Sequence, residues 1–456
     1  MFRFIVRSKR DADAIRAVIE RFYSTWDIDV VTLHGARSVE DVSARLSELL
    51  LNDKYNIVLL GREDRKVVEA LENRVQANTV IHMVPRARIR NTRLEHLYYE
   101  VEVARSKIRL RATWLENPKT YLLDNKGVEL EKYDYNPAYD VFLGVGKWFK
   151  QHIERVVNGS IGENPLIVRQ MGGRHYVYNG PSIRAELLIP DEGLVPRGKI
   201  VNDKVDPLDI DLDTLVKNNT DIIRVHERIS LKILEGFKDK VDLVIVPWSG
   251  GKDSTAALIM AVKVFGKDTV RPVYVDTGVD FPWTMEYLDR VARKLGISYD
   301  IEHAGVDREL VSGRREMPTH ENRWCTMLKI RAVHKFIDKY RGQRKLLVLG
   351  DRDAESEKRS KRPVVRVEDN ETIAVAPLKM WNTLHVQLYL LLHGIELNPL
   401  YEHGFYRLGC YICPALRSWE VNIMINDRAV YESIRDKPLY KRFIELRKRL
   451  VPTYNE

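Results

Sequence analysis

Asp242-Leu243-Val244-Ile245-Val246-Pro247 runs directly into Trp248-Ser249-Gly250-Gly251-Lys252-Asp253-Ser254, and an apolar helical stretch, Thr255–Phe265, follows at once. A short apolar run bounded by a turn reads as a strand buried on both faces of a parallel sheet. The order strand, glycine loop, helix is what gives such a loop its chemistry. Gly250 and Gly251 let backbone amides approach a phosphate, and the helix N-terminus adds N–H groups and partial positive charge. Ser249 and Ser254 can donate hydrogen bonds, Lys252 supplies a point charge, and Asp253 is placed to hold Mg²⁺ or to cap the helix. The bland alternative is an ordinary tight turn with an N-cap. The chain carries its own control: Gly266-Lys267-Asp268 repeats the letters GKD after a helix and before a strand, the setting of a C-cap turn. The loop also lacks the GxxxxGK spacing with which P-loops grip β- and γ-phosphates.

Outward from the loop the rhythm stays α/β. Val273–Asp276 reads as a strand, Trp283–Leu295 as a helix, Tyr299–His303 and Leu346–Leu349 as further strands. Far upstream, Phe2–Val6, Asp29–Leu33, Tyr55–Leu60 and Thr79–Val84 are short apolar runs separated by the helical stretches Asp11–Tyr23, Ser38–Leu51 and Glu63–Val75. That alternation predicts a small parallel-sheet domain over residues 1–90. It carries no glycine-rich phosphate loop, so a scaffold or partner-docking role is expected of it. Residues 91–157 read as a mixed connecting region. Gly and Pro punctuate β-prone pieces over 158–201, a β-rich module whose likeness to small RNA-binding barrels is faint. An acidic linker, Asn202–Asp213, and a helix, Thr214–Phe237, make up 202–237. The sheet domain of the loop then spans 238–420, and a helical extension 421–456. The fold class is α/β, with the C-terminal parallel-sheet, Rossmann-like domain preceded by the small α/β domain and the β-rich module.

Composition narrows the setting. The 456 residues carry 74 Lys+Arg against 65 Asp+Glu, a net charge of +9, and 44% hydrophobic residues. These values fit a globular chain and exclude wholesale disorder. No apolar run reaches the roughly 18–20 residues of a membrane span, the first residues show no secretory h-region, and three cysteines suit a reducing cytoplasm. Two segments are densely basic: Pro85–Arg111, with eight Lys/Arg and three Glu, and Lys339–Arg366, with ten Lys/Arg and four Asp/Glu. Both are candidates to meet phosphates of a nucleotide or of RNA.

The motifs extend beyond the loop. SGGKDS resembles the PP-loop of the adenine nucleotide α-hydrolase-like superfamily. Tyr274–Pro282 (YVDTGVDFP), Arg323–Lys329 (RWCTMLK), Gly350–Arg359 (GDRDAESEKR), Pro377–Trp381 (PLKMW) and Pro399–Pro414, ending in RLGCYICP, resemble ordered motifs of the phosphoadenosine phosphosulfate (PAPS) reductase family. The resemblance implies an adenine nucleotide, ATP or PAPS, on Ser249, Gly250, Gly251, Lys252, Asp253 and Ser254. It also implies contacts from Asp276, Thr277 and Gly278 at the end of the second strand. Lys252, Asp253, Arg352 and Arg359 become the candidate catalytic groups, the arginines gripping the substrate side. For each arginine an ion pair with nearby Glu355 or Glu357 is the plain alternative.

Cys410 and Cys413 form a C-x-x-C, a spacing that lets two thiolates share a metal. The resemblance places Cys325 near the same site. Cys325, Cys410 and Cys413 would then hold a [4Fe–4S] cluster, or Zn²⁺ with His320 or His403 as fourth ligand; a redox pair or simple turn is the plain alternative. The departures from the reductases also count. Trp324-Cys325 stands where cluster-containing reductases show paired cysteines, and the tail KRLVPTYNE lacks the nucleophilic cysteine of those enzymes. The expected reaction is therefore ATP-dependent adenylylation with pyrophosphate release, coupled to sulfur transfer such as tRNA thiolation. A PAPS or adenylylsulfate reductase with a non-standard thiol is the first rival, and a nucleotide-sensing RNA-binding protein the second. The sequence names neither sulfur donor nor oligomeric state.

Overall fold

The computed structural model describes residues 1–204 and 206–450. Val205 of the expected linker and residues 451–456 of the expected C-terminal extension, with the end of its cysteine-free tail, lie outside the described residues.

Residues 1–84 alternate as β1 (Phe2–Val6), α1 (Lys9–Phe22), β2 (Ile28–Thr32), α2 (Val39–Leu49), β3 (Tyr55–Gly61), α3 (Arg65–Leu71) and β4 (Thr79–Val84). The four strands are all parallel, in the order β2-β1-β3-β4. Side chains alternate across a strand, and β1 shows the consequence. Phe2, Phe4 and Val6 pack with Ala12, Ile15 and Val18 of α1, while Ile5 joins Val42, Leu46 and Val67 on the opposite face.

Helix α4 (Leu94–Leu110) carries most of the first basic segment, and its charges are spent internally. Arg105 pairs with Glu102 and Asp353. Arg109 donates to the carbonyls of Pro137 and Tyr139, and Arg111 to those of Gln76 and Thr79. All three arginines are buried. The expectation that Pro85–Arg111 offers a surface to RNA is overturned for them, because they satisfy carbonyls and carboxylates that would otherwise be buried without partners.

A small sheet, β5 (Thr113–Leu115), β6 (Thr120–Leu122) and β7 (Val128–Glu129), leads into β8 (Asp140–Leu143), α5 (Lys147–Val157), β9 (Leu166–Arg169), β10 (Arg174–Asn179), β11 (Ser182–Leu188) and β12 (Arg197–Ile200). Strands β8–β12 form one antiparallel sheet, ordered β12-β11-β10-β9-β8. The sheet therefore begins upstream of residue 158: four residues of β8 pair with β9, and α5 folds back on the sheet. Asp211 accepts from the Thr214 amide at 2.8 Å and caps the N-terminus of α6 (Leu212–Glu235), so the last residues read as linker, Asp211 and Asp213 among them, begin the helix instead.

The C-terminal half contains β13 (Leu243–Pro247), α7 (Lys252–Phe265), β14 (Val270–Asp276), α8 (Trp283–Leu295), β15 (Asp300–His303), α9 (Val306–Val311), α10 (Trp324–Asp338), β16 (Lys345–Val348), α11 (Glu357–Ser360), β17 (Val365–Val367) and β18 (Thr372–Val375). Helices α12 (Thr383–Leu392), α13 (Pro399–Glu402), α14 (Ser418–Asn426), α15 (Arg428–Ile434) and α16 (Pro438–Arg449) complete it. The sheet order is β15-β14-β13-β16-β18-β17, parallel except for the β17 edge. Successive strands are added on one side of β13 as far as β15 and on its other side from β16 onward, and this switch leaves a crevice at the carboxyl ends of β13 and β16. Helix α7 is apolar almost all round because α6 and α12 cover the side away from the sheet. Gly266 closes it, its N–H reaching the Val262 carbonyl, so the second GKD is indeed a C-cap.

Strand β8 lies between two cores. Val141 and Leu143 face a core that runs from Phe2 to Val244 and Trp381; Phe142 faces another, built with Phe149, Trp419 and Phe443. This packing holds the first residue of the strand, Asp140, within reach of Arg352 and Thr383.

Candidate functional site

The loop takes its shape from two glycines and two serines. Gly250 has φ +72°, a left-handed conformation that costs other residues, and Gly251 is the N-cap of α7. Ser254 Oγ donates to the Gly251 carbonyl at 3.0 Å and lies 3.2 Å from Ser249 Oγ. The Lys252 amide donates to the Tyr401 hydroxyl at 3.1 Å. Asp253 sits inside the first turn and makes no cap, contrary to one of its expected roles.

Asp253 is instead the meeting point of two cations. Lys252 Nζ is 2.9 Å from Oδ2 and Arg352 Nε 2.6 Å from Oδ1. Burial pushes this carboxyl up, but Arg352 and Lys252 more than offset it and hold it below the usual range. Arg352 in turn reaches Asp140 Oδ2 at 3.2 Å and Thr383 Oγ1 at 2.9 Å, with the Trp381 carbonyl at 3.4 Å. Thr383 donates to Asp140 through both its amide, at 2.9 Å, and its hydroxyl, at 2.8 Å. Burial alone would raise Asp140; Arg352, Arg169 and the Thr383 donors bring it down to about 2.

This network forms one wall of a cavity of about 530 Å³. Ser249, Gly251, Lys252, Asp253, Ser254, Arg352 and Arg359 all line it, which gathers seven of the expected site residues from two distant stretches. Gly250 backs the loop against Thr284, Tyr287 and Leu288. Gly350 permits the approach of the two stretches: a Cβ there would lie 2.7 Å from the backbone carbon of Asp253.

Asp276, Thr277 and Gly278 fall outside this cavity. Asp276 accepts from Gly278 N at 2.8 Å and from His303 Nδ1 at 3.1 Å, while Thr277 is buried and bonded to Asp280. A smaller cavity of about 230 Å³, lined by Trp248, Tyr274, Val275 and Lys329, lies beside them.

Arg352 is buried and every arm of its guanidinium is occupied, so it braces Asp253 rather than gripping a substrate directly. Arg359 pairs with Glu355 and with Asp351 at 3.4 Å, which is the alternative weighed for it, yet it also lines the cavity. Sequence reasoning missed Asp140, Arg169, Thr383, Tyr401 and Arg417. The cavity wall includes seven Lys/Arg side chains against four Asp/Glu.

Both Asp253 oxygens already face cations, which disfavours a resident Mg²⁺ on this carboxylate. Cys410 is buried, with Sγ 3.2 Å from Lys329 Nζ and 3.4 Å from Thr277 Oγ1. Burial, reinforced by Asp280 and Cys413, pushes its thiol up to about 12 against the pull of Lys329. Cys325 is half-buried and burial raises it too. His403 donates through Nδ1 to Asp427 at 2.8 Å and stacks between Trp148 and Trp283; His320 is exposed. Among the described residues no three His, Cys, Asp or Glu side chains are grouped to hold a metal ion. With no such donor set assembled, the arrangement of the three cysteines supports neither the expected cluster nor Zn²⁺.

Residues 243–416 match the model of the phosphoadenosine phosphosulfate reductase domain. The chain carries a domain of the PAPS reductase family. An uncharacterized protein of Methanocaldococcus jannaschii is 32% identical over 53% of this chain and 50% of its own length. The chain therefore spans about half the length of that relative. An adenosine 5′-phosphosulfate reductase of Chelativorans is 26% identical over 46% of this chain and 84% of its own. A sulfate adenylyltransferase subunit 2 of Streptomyces lavendulae is 26% identical over 41% of this chain and 66% of its own. The PAPS reductase-family domain thus contains the loop, the brace and all three cysteines, while Asp140 and Arg169 reach its cavity from outside the matched segment. No described helix is long and apolar enough to cross a membrane.

Proposed function

We propose that the chain is an adenine-nucleotide-using enzyme that transfers the adenylyl group of ATP to an acceptor oxygen. The cationic cavity at the loop carries this reading, since its excess of Lys and Arg suits a polyphosphate. The acceptor oxygen attacks the α-phosphorus, the bond to the α–β bridging oxygen breaks, and pyrophosphate leaves with the electron pair. Loop amides at Gly250 and Gly251, with Lys252 and Arg359, offset the charge that develops on the leaving group. Asp253, braced by Arg352, orients Lys252. An Mg²⁺ entering on ATP belongs to the substrate, and no step here is assigned to it.

The sulfur-transfer half of the reading rests on the three thiols of the domain, Cys325 and Cys410 each lying close enough to Cys413 to feel its charge, and on relatives whose names describe sulfur compounds. A tRNA base as acceptor is its finer form. The rival, reduction of a sulfonucleotide by a thiolate, is favoured by the family match but not by the burial of Cys410, which raises its thiol and disfavours the thiolate form.

Pyrophosphate release from ATP, with and without added tRNA, tests the proposal against sulfite release from PAPS or adenylylsulfate with a thiol donor. Lys252→Ala should reduce pyrophosphate release by about 10²–10³-fold, as loss of a charge-stabilising group does. Sulfite release without ATP cleavage would replace this reading with the reductase.

A further inference from the structure

Most of the cations in the two basic segments are paired, whereas three arginines gathered elsewhere, between them, are not. Arg315, Arg323 and Arg331 have no carboxylate partner among the described residues. They line a groove of about 590 Å³ with Trp324, Met327 and Leu328, opposed by one acid, Glu309. Arg323 also lines the nucleotide cavity, so the groove opens beside the proposed site of chemistry.

Helix α10 explains the pattern. Residues three and four apart share a helix face, and Met327, Ile330 and Arg331 fall on one such stripe, with Met327 54% and Ile330 43% exposed. Only the far half of the helix, at Ala332, Phe336 and Ile337, is buried. Cation and apolar surface therefore alternate along a face that runs away from the cavity. The Arg315 guanidinium lies 5.9 Å from the centre of the Trp324 ring, which builds a planar cationic and aromatic platform at the groove.

We infer that this groove and the outer face of α10 form a docking track for single-stranded RNA, leading an acceptor base to the nucleotide. Unpaired phosphate-matching guanidinium groups beside flat apolar and aromatic surface are what splayed bases and their backbone require. An acidic protein would satisfy the arginines but would leave the concave, cavity-linked groove unexplained. The inference rests on the adenylyl-transfer reading for its purpose, though not for its test.

The test measures anisotropy of a labelled single-stranded RNA of about 12 nucleotides on the full chain as salt is varied, since each lost phosphate contact lowers the salt slope by roughly 0.7. Arg331→Glu combined with Met327→Ser should weaken RNA binding by at least about tenfold and reduce the slope by at least about 0.7, with ATP affinity unchanged. Both positions are exposed, and an unchanged ATP affinity reports an intact fold. As a second measurement, RNA carrying 4-thiouridine should crosslink to α10. Absence of RNA binding, an unaltered affinity in the variant, crosslinks confined to other elements, or equal binding of single-stranded DNA or polyglutamate would each overturn the assignment. Pyrophosphate release by a chain that fails these tests would leave adenylyl transfer standing, whereas RNA binding without pyrophosphate release would refute only the latter.

Discussion

Arg352 Nε stands 2.6 Å from Asp253 Oδ1 while its Nη1 stands 3.2 Å from Asp140 Oδ2, so one buried guanidinium joins the loop of β13 to the first residue of β8. Removing one partner from a buried ion pair strands the other without compensation, at about 3–5 kcal/mol. Arg352→Ala should lower the unfolding free energy in urea by about that amount and abolish nucleotide binding. Arg352→Lys should not rescue it, because a single ammonium cannot reach Asp253, Asp140 and Thr383 in three directions.

Gly350 is the point where the two halves of the site touch. A Cβ placed there would lie 2.7 Å and 2.8 Å from the carbonyl carbon and oxygen of Asp253, both backbone atoms that cannot step aside. Gly350→Ala should therefore push the segment after β16 away from α7. We expect ATP affinity, measured by calorimetry, to fall at least about tenfold, the effect of roughly 1.4 kcal/mol. Gly342, with open space around its Cβ position but a φ of +87°, serves as a comparison in which backbone strain acts without a clash at the site.

What was legible in the sequence was what is local. The strand, glycine loop and helix of residues 242–265 announce themselves because the chemistry and the turn occupy neighbouring residues, and the N-terminal sheet follows from strand and helix periodicity. Asp140 had no such signal: it is one polar residue before three apolar ones, and its meaning comes from Arg352 and Thr383, more than two hundred residues away. Charge density misled for the same reason. Arg105, Arg109 and Arg111 raise the basic count of their segment but are buried against carboxylates and carbonyls, a fact that composition does not contain.

Asp140 also sets an acid limit. Its folded-state carboxyl, at about 2, lies below the ordinary 3.8. A depressed carboxyl contributes stability that is complete above the unfolded value and is lost as pH falls through the folded one. The unfolding free energy should thus decline between about pH 4 and pH 2, and Asp140→Asn should flatten this portion of the profile while lowering stability at neutral pH. Glu227, also at about 2 where Lys263 and His393 override burial, titrates over the same window, so the flattening will be partial.

The thiols offer a direct comparison. Cys410 is buried, hydrogen-bonded and pushed up to about 12, whereas Cys325 and Cys413 are only partly covered. The thiolate is the reactive form, so a disulfide reagent at about pH 8 should modify Cys325 and Cys413 in the native chain well before Cys410. All three should react at similar rates after denaturation. Peptide mapping of the modified cysteines checks the order, and rapid labelling of Cys410 in the folded chain would contradict the packing described for it.

His403 extends the same reasoning to the far side of the site. Its Nδ1 and the Nε2 of His152 both approach Asp427 Oδ2, at 2.8 Å and 3.1 Å, while Asp427 Oδ1 accepts from the Val430 amide and caps α15. The His403 ring lies between those of Trp148 and Trp283, 5.9 Å and 5.1 Å away and tilted by only 5° and 14°. Burial pushes Asp427 up, yet His152, His403 and the Val430 amide hold it well below the usual range. Replacing His403 with Leu keeps apolar volume between the tryptophans but removes one donor from that carboxylate. The expected cost is about 1–3 kcal/mol, with a change in tryptophan emission because Trp148 is already partly exposed. His403 directly follows α13, whose Tyr401 receives the Lys252 amide. Nucleotide affinity should consequently fall as well, though less than in Gly350→Ala, since the helix that carries Tyr401 loses a support while the Tyr401 bond itself remains and no clash is added. A variant with normal tryptophan emission and normal stability would show that the stacked histidine bears none of this load.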